Sequence, residues 1–303
     1  MHQEENEDFD NFPITYSIDN QILMHREAHF GGDFALMLDY YTNEGKGVNK
    51  EFELSRIEEL AKLEQQTGKD LVTFMLSGPE IEKIGKAKKA YKDLREVYSV
   101  KNPKNKIPKL IVDLIFAENA DTDISVEAAI AEKSAIVPAL VDLLRNEDYY
   151  DPLFPGYGQA RALAARCLGK IEDKRAIISL YESIGEGDFF DDDLILSALH
   201  SIGEPAKSFL LKVVHGQPIN HDNEQAAIAL INFKEDPEVS LACLSILKEI
   251  DITKHEALAT YLVLACEGLP KASQTQLIEL ADKLNTPKTI KQDIKVLANF
   301  WHV

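Results

Sequence analysis

The residues best suited to chemistry stand near the start of the chain, in His25-Arg-Glu-Ala-His29. Residues four apart share one face of a helix, so the two imidazoles would point the same way and could ligate one metal ion. The order is not the His-Glu-x-x-His of a zinc metalloprotease, where the glutamate is the general base. Glu27 and Asp33 are the neighbouring carboxylates, and no nearby run supplies an obvious third ligand. His25 and His29 are therefore metal candidates set against a plainer expectation, that the rings pack or hydrogen-bond at the end of a helix stopped by Gly31-Gly32.

Two further segments have binding chemistry. The run Tyr149-Tyr-Asp-Pro-Leu-Phe-Pro-Gly-Tyr-Gly158 concentrates large aromatic side chains among helix-breaking residues. Tyrosine joins apolar area to a hydrogen-bonding end, so Tyr149, Tyr150, Phe154 and Tyr157 read equally as a contact loop or as a folded-back seal between two parts of the chain. The acidic run Glu186, Asp188, Asp191, Asp192 and Asp193 lacks the alternating ligands and sixth-position glycine of a calcium loop, because Phe189 and Phe190 interrupt it. It fits either a helix start, where carboxylates meet free N–H groups, or a docking patch for a basic partner. A stretch from Lys83 to Lys109 is locally basic and reads as a solvated helix face with its linker.

The whole chain excludes other classes. It has 303 residues and a formal charge of −18, from 51 acidic and 33 basic residues. Such a surface repels nucleic-acid phosphates and anionic lipid, so the expected partner is a protein, with a basic surface where charge matters, and neither nucleic acid nor a membrane. The three cysteines Cys167, Cys243 and Cys266 sit in apolar helical patterns and read as small buried hydrophobes of a reducing compartment. The acidic N-terminus has no secretory pattern, and no apolar run is long enough to cross a membrane, which together predict a cytoplasmic protein. No nucleophile elbow, phosphate-binding loop or Cys-x-x-Cys pair is present, and no cofactor is implied.

The elements that must position these residues are helices. Leu163, Cys167, Leu168 and Ile171 recur at helical spacing, and Asp173 is placed to cap the helix that follows. The pattern returns every 31 residues: Cys167, Ala198, Ala229 and Thr260, with Leu168, Leu199, Leu230 and Tyr261 beside them and Ile171, Ile202, Phe233 and Leu264 inward. A unit of this length holds two helices and two turns. One hairpin cannot bury both faces, so stacked hairpins sharing a continuous core are predicted.

At these residues the chain resembles a known family. Ala162 to Ile177, with Leu168-Gly169 before the acidic turn Glu172-Asp173, is similar to the short HEAT-like repeat named after phycobilisome lyases, and Ile202-Gly-Glu-Pro205 matches the next turn. The resemblance spans 134–264 and implies an all-α fold, a right-handed α-solenoid of HEAT-like helical hairpins behind an irregular N-terminal helical half. Deoxyhypusine hydroxylase uses the same repeats and holds two irons through His-Glu pairs. Here His255-Glu256 stands alone, with Glu224, Asp193 and Ala162 at the equivalent places, which argues against that enzyme. HEAT-like alkylpurine DNA glycosylases bind DNA through a basic concave face, whereas this chain's basic residues are confined to one helix and its linker.

The expected organisation is an acidic N-terminus over 1–12, an irregular helical region over 13–106, and a HEAT-like array with C-terminal capping helices over 107–303. The function that follows is a non-catalytic protein-binding scaffold using a solenoid surface and the aromatic loop. The alternative is a metal-binding or lyase- and chaperone-like protein that handles a small molecule.

Overall fold

The computed structural model of the chain describes residues 18–100, 104–186, 189–283 and 285–301. The acidic N-terminal segment 1–12, Lys101 and Asp188 lie outside the described residues. The described residues form helices and turns with no strand, and they divide into two compact units. The first contains Met1–Pro103, Phe116–Asp121 and Asp151–Gly158, and the second Lys104–Ile115, Thr122–Tyr150 and Gln159–Val303. Two later segments of the chain thus return to the first unit.

The first unit holds α1 (Ile18–Phe30), α2 (Phe34–Thr42), α3 (Leu54–Thr67), the single turn α4 (Val72–Met75) and α5 (Gly78–Glu96). Several starts and stops have a local cause. Asp33 caps α2 by accepting the Ala35 N–H at 2.7 Å. The α3 helix ends at Gly68 in the left-handed region. Gly78-Pro79 forms the first turn of α5. Ser77 and Glu80 make a capping box there, and a proline in the first turn loses no intrahelical hydrogen bond. Ile22, Leu23, Met37, Ile57, Leu60 and Ile84 form the core, joined by Leu153 and Phe154 from the aromatic segment. Arg26 lies in this core, 2% exposed, held by Glu64 at 2.8 Å and Glu27 at 2.9 Å and set over the Phe34 ring at 4.5 Å. Its carboxylate partners outweigh desolvation and raise its pKa.

The second unit is built from α6 (Ile107–Phe116), α7 (Ala120–Ile130), α8 (Val137–Leu144), α9 (Ala160–Ile171), α10 (Ile177–Glu182), α11 (Phe189–Ile202), α12 (Glu204–Val214), α13 (His221–Leu230), α14 (Pro237–Glu249), α15 (Glu256–Leu264), α16 (Lys271–Ala281) and α17 (Lys288–Trp301). The ends of α6 and α7 that meet at 116–121 go with the first unit. Helices α9, α11, α13, α15 and α17 pack in series, as do α12, α14 and α16, while neighbours in sequence such as α12 and α13 pack against one another.

At the first three of its four positions the 31-residue spacing falls on buried residues. Cys167, Ala198 and Ala229 are buried, as are Leu168, Leu199 and Leu230. A Cβ added to Gly169 would lie 2.9 Å from the Ala198 Cα, so a glycine facing an alanine sets how closely α9 and α11 approach. At the fourth position the spacing does not. Thr260 and Tyr261 are half-buried and Leu264 is 45% exposed, and Ala259, Leu262, Val263 and Cys266 take the inward places instead. The three cysteines are free and buried, and burial pushes the Cys167 and Cys243 thiols up to about 12. No described helix is long and apolar enough to cross a membrane.

Candidate functional site

The first unit brings two of the sequence candidates together. Along α1, His25 and His29 do share a face, with ring centroids 5.2 Å apart. The aromatic segment folds against them: the Tyr157 ring lies 4.4 Å from that of His29. Tyr157 is seated by Gly47, where a Cβ would come within 2.1 Å of the tyrosine ring. A rigid ring cannot give way by that amount, so glycine is required there.

Hydrogen bonds fix the protonation state of this cluster. His29 Nε2 lies 2.9 Å from the Pro152 carbonyl, which only accepts, so Nε2 holds the proton. Its Nδ1, 2.7 Å from the Tyr91 hydroxyl, then accepts. The Tyr157 hydroxyl bonds to both Tyr91 and Tyr40. Tyr40 in turn donates to Glu118 at 3.2 Å and accepts the Gly47 N–H at 2.8 Å. Since Tyr91 and Tyr40 pass their protons outward, the single Tyr157 proton serves one of them at a time. Burial raises the pKa of all three tyrosines. Burial also lowers His29 to about 3 and His25 to about 4, so both rings are neutral near pH 7. Lys46, 3.1 Å from the Ala117 carbonyl, is lowered to about 8 by desolvation, which Glu118 partly opposes.

In this arrangement both histidines pack against aromatic rings, and His29 also hydrogen-bonds. Both His29 nitrogens are engaged, and no group of three His, Cys, Asp or Glu side chains among the described residues is placed to hold a metal. His25 packs edge-on to Phe52 at 5.1 Å and borders a cavity of about 170 Å³, with the Lys83–Asp151 ion pair, 2.5 Å long, on its wall. A wider cleft of about 510 Å³ lies beside His29 and Tyr91, edged by Lys88, Lys92 and Arg95. The basic stretch is largely spent in ion pairs: Lys83 with Asp151, Lys86 with Glu82 at 2.9 Å, Lys88 with Glu27 at 2.7 Å, Lys89 with Asp93 at 2.5 Å and Lys106 with Glu132 at 2.6 Å.

The aromatic segment itself is divided. Phe154 is 4% exposed in the core of the first unit, and Tyr157 is half-buried in the hydroxyl network, so these two form no free contact surface. The apolar run Leu153-Phe154 is the physical reason, since such side chains are drawn into a core. Tyr149 and Tyr150 belong to the second unit and are half-buried.

There Tyr150 meets the acidic candidates. It stands with Glu147, Glu182, Glu186 and Arg145 around a cleft of about 460 Å³. Arg145 pairs with Glu182. Asp192 accepts the Gly185 N–H at 2.9 Å, Asp191 is half-buried and Asp193 is exposed. Beneath the cleft, Arg161 is fully buried with its guanidinium 4.0 Å from the centre of the Tyr150 ring. It donates to the Ser183 carbonyl, while Nε and Nη1 have no partner. Burial lowers the Arg161 pKa, opposed by Tyr150, Asp191, Asp192 and Glu186. His255 occupies the cap position of α15, and Glu256 accepts the Thr289 hydroxyl at 2.5 Å.

Tyr40, Lys46, Tyr91, Glu118 and Arg161 went unread in the sequence because each is distant from its partners. One local signal existed for Arg161, a charge inside the apolar run Ala160 to Ala165. No protein-family model matches the chain, and no curated protein sequence matches it.

Proposed function

We propose that this protein is a non-catalytic protein-binding scaffold. In this reading the second unit is a right-handed α-solenoid of HEAT-like hairpins, and the acidic cleft at Tyr150 grips a basic segment of its partner. The three in-register copies and the serial packing of α9, α11 and α13 support the solenoid. The observation that carries the binding role is the cleft itself. Glu147, Glu182 and Glu186 surround one tyrosine in a space of about 460 Å³, against Arg145, already paired with Glu182, and Arg161, buried beneath the tyrosine ring. Asp191 and Asp192 add negative charge close enough to act on Arg161. Such a potential selects lysine- or arginine-rich segments, chiefly through association rate and specificity.

Fluorescence anisotropy with a labelled peptide rich in lysine and arginine tests this. The full chain should bind it with an affinity that falls as salt is added, and the Glu147→Lys/Glu186→Lys variant should bind about tenfold more weakly. Equal binding by the variant, or equal binding of the matching glutamate-rich peptide, would refute the assignment.

A further inference from the structure

The cavity at His25 is separate from the acidic cleft and belongs wholly to the first unit. His25 is only 8% exposed, and its ring touches Phe52 and His29 but forms no hydrogen bond within the described residues. A buried imidazole normally has its nitrogens satisfied. Here the free ring edge borders a space of about 170 Å³ instead. We propose that this cavity binds a small uncharged ligand carrying a hydrogen-bond donor and acceptor side by side, of the amide or lactam-heterocycle class.

Size, charge and hydrogen-bonding capacity each narrow the ligand. A cavity of about 150 Å³ accommodates benzene in an engineered lysozyme, the known reference case, so the present one admits about one six-membered ring with a small substituent. Lys83 and Asp151 neutralise each other at 2.5 Å, leaving no net charge on the wall to favour an anion or a cation. The neutral His25 ring offers one donor and one acceptor, which a protonated ring would not. Asn49 spends its side-chain oxygen on the Glu51 N–H at 2.9 Å, which leaves its NH2 group for a ligand carbonyl. Met24 and Leu153 supply apolar walls for the ring. Lys83 and Asp151, on the cavity wall, are both half-exposed. Apolar walls with a few convergent polar groups are the usual make-up of a small-molecule site. The proposal does not depend on the acidic-cleft reading.

Ligand-observed NMR and calorimetry on the full chain at pH 7.5 test it with three isosteric probes, nicotinamide, benzoate and benzylamine. Nicotinamide should bind with a Kd on the order of 1 mM, about tenfold tighter than either charged probe. Asn49→Ala, at the rim, should weaken it about fivefold without lowering the melting temperature. His25→Phe, which keeps the edge contact with Phe52, should abolish saturable binding, and Glu147→Lys should leave it unchanged. Absence of saturable nicotinamide binding would overturn the proposal. So would equal binding of the charged probes, or binding indifferent to both Asn49→Ala and His25→Phe.

Discussion

Acidification should weaken the first unit by an amount set by its two buried histidines. In the folded chain His25 titrates at about 4 and His29 at about 3, below the ordinary 6.5, because burial disfavours the charged ring. A depressed folded pKa means that the unfolded chain binds more protons, so stability is complete above pH 6.5 and falls as pH drops toward 4. Each histidine loses about 1.36 kcal/mol per pH unit across that window. Between pH 6.5 and 5 this is about 2 kcal/mol per ring and about 4 kcal/mol for the pair. The figure depends on the unfolded value and on both folded values lying below 5, not on how far below. Asp19 and Glu80 are also shifted down, but their ordinary values of 3.8 and 4.5 place most of their effect at lower pH. Urea unfolding followed by near-ultraviolet circular dichroism of the tyrosines reports both units, and fluorescence of Trp301 reports the second, so the difference between the two transitions isolates the first. With a urea slope of about 2 kcal/mol per molar, the first midpoint should fall by about 2 M between pH 7.5 and 5. The His25→Gln/His29→Gln variant should lose most of that dependence. A wild-type shift below about 0.5 M, or an unchanged dependence in the variant, would show that the rings are not buried neutral as described.

Two further outcomes test the packing. Ala198→Arg should destabilise the second unit by more than about 3 kcal/mol, since the new side chain must enter the contact with Gly169 and bury a charge, while exposed Lys212→Glu should stay within about 0.5 kcal/mol, both by denaturant melts. Phe154→Ala should cost the first unit about 3–5 kcal/mol, as expected for a buried ring, whereas half-buried Tyr149→Ala should cost less than about 1 kcal/mol. Similar melting for Phe154→Ala and wild type would mean that the segment lies on the surface.

The all-helical character was legible because it is written locally. Apolar spacing placed the helices, Asp33, Ser77 and Asp173 capped them or the turns before them, and the 31-residue period put Cys167, Ala198 and Ala229 at one buried position. Local signals also misled at the fourth position of the period, where Leu264 faces outward although the apolar spacing placed it inward. The pairing of His25 and His29 on one face was likewise local. Their neutrality was not, because it comes from burial, among contacts that for His29 include Tyr91 and Pro152, 62 and 123 positions away. The aromatic segment was visible as a composition but not as two halves. Leu153 and Phe154 go to the first core and Tyr150 to the second unit, over the buried Arg161, because chain neighbours separate wherever two cores compete for apolar surface.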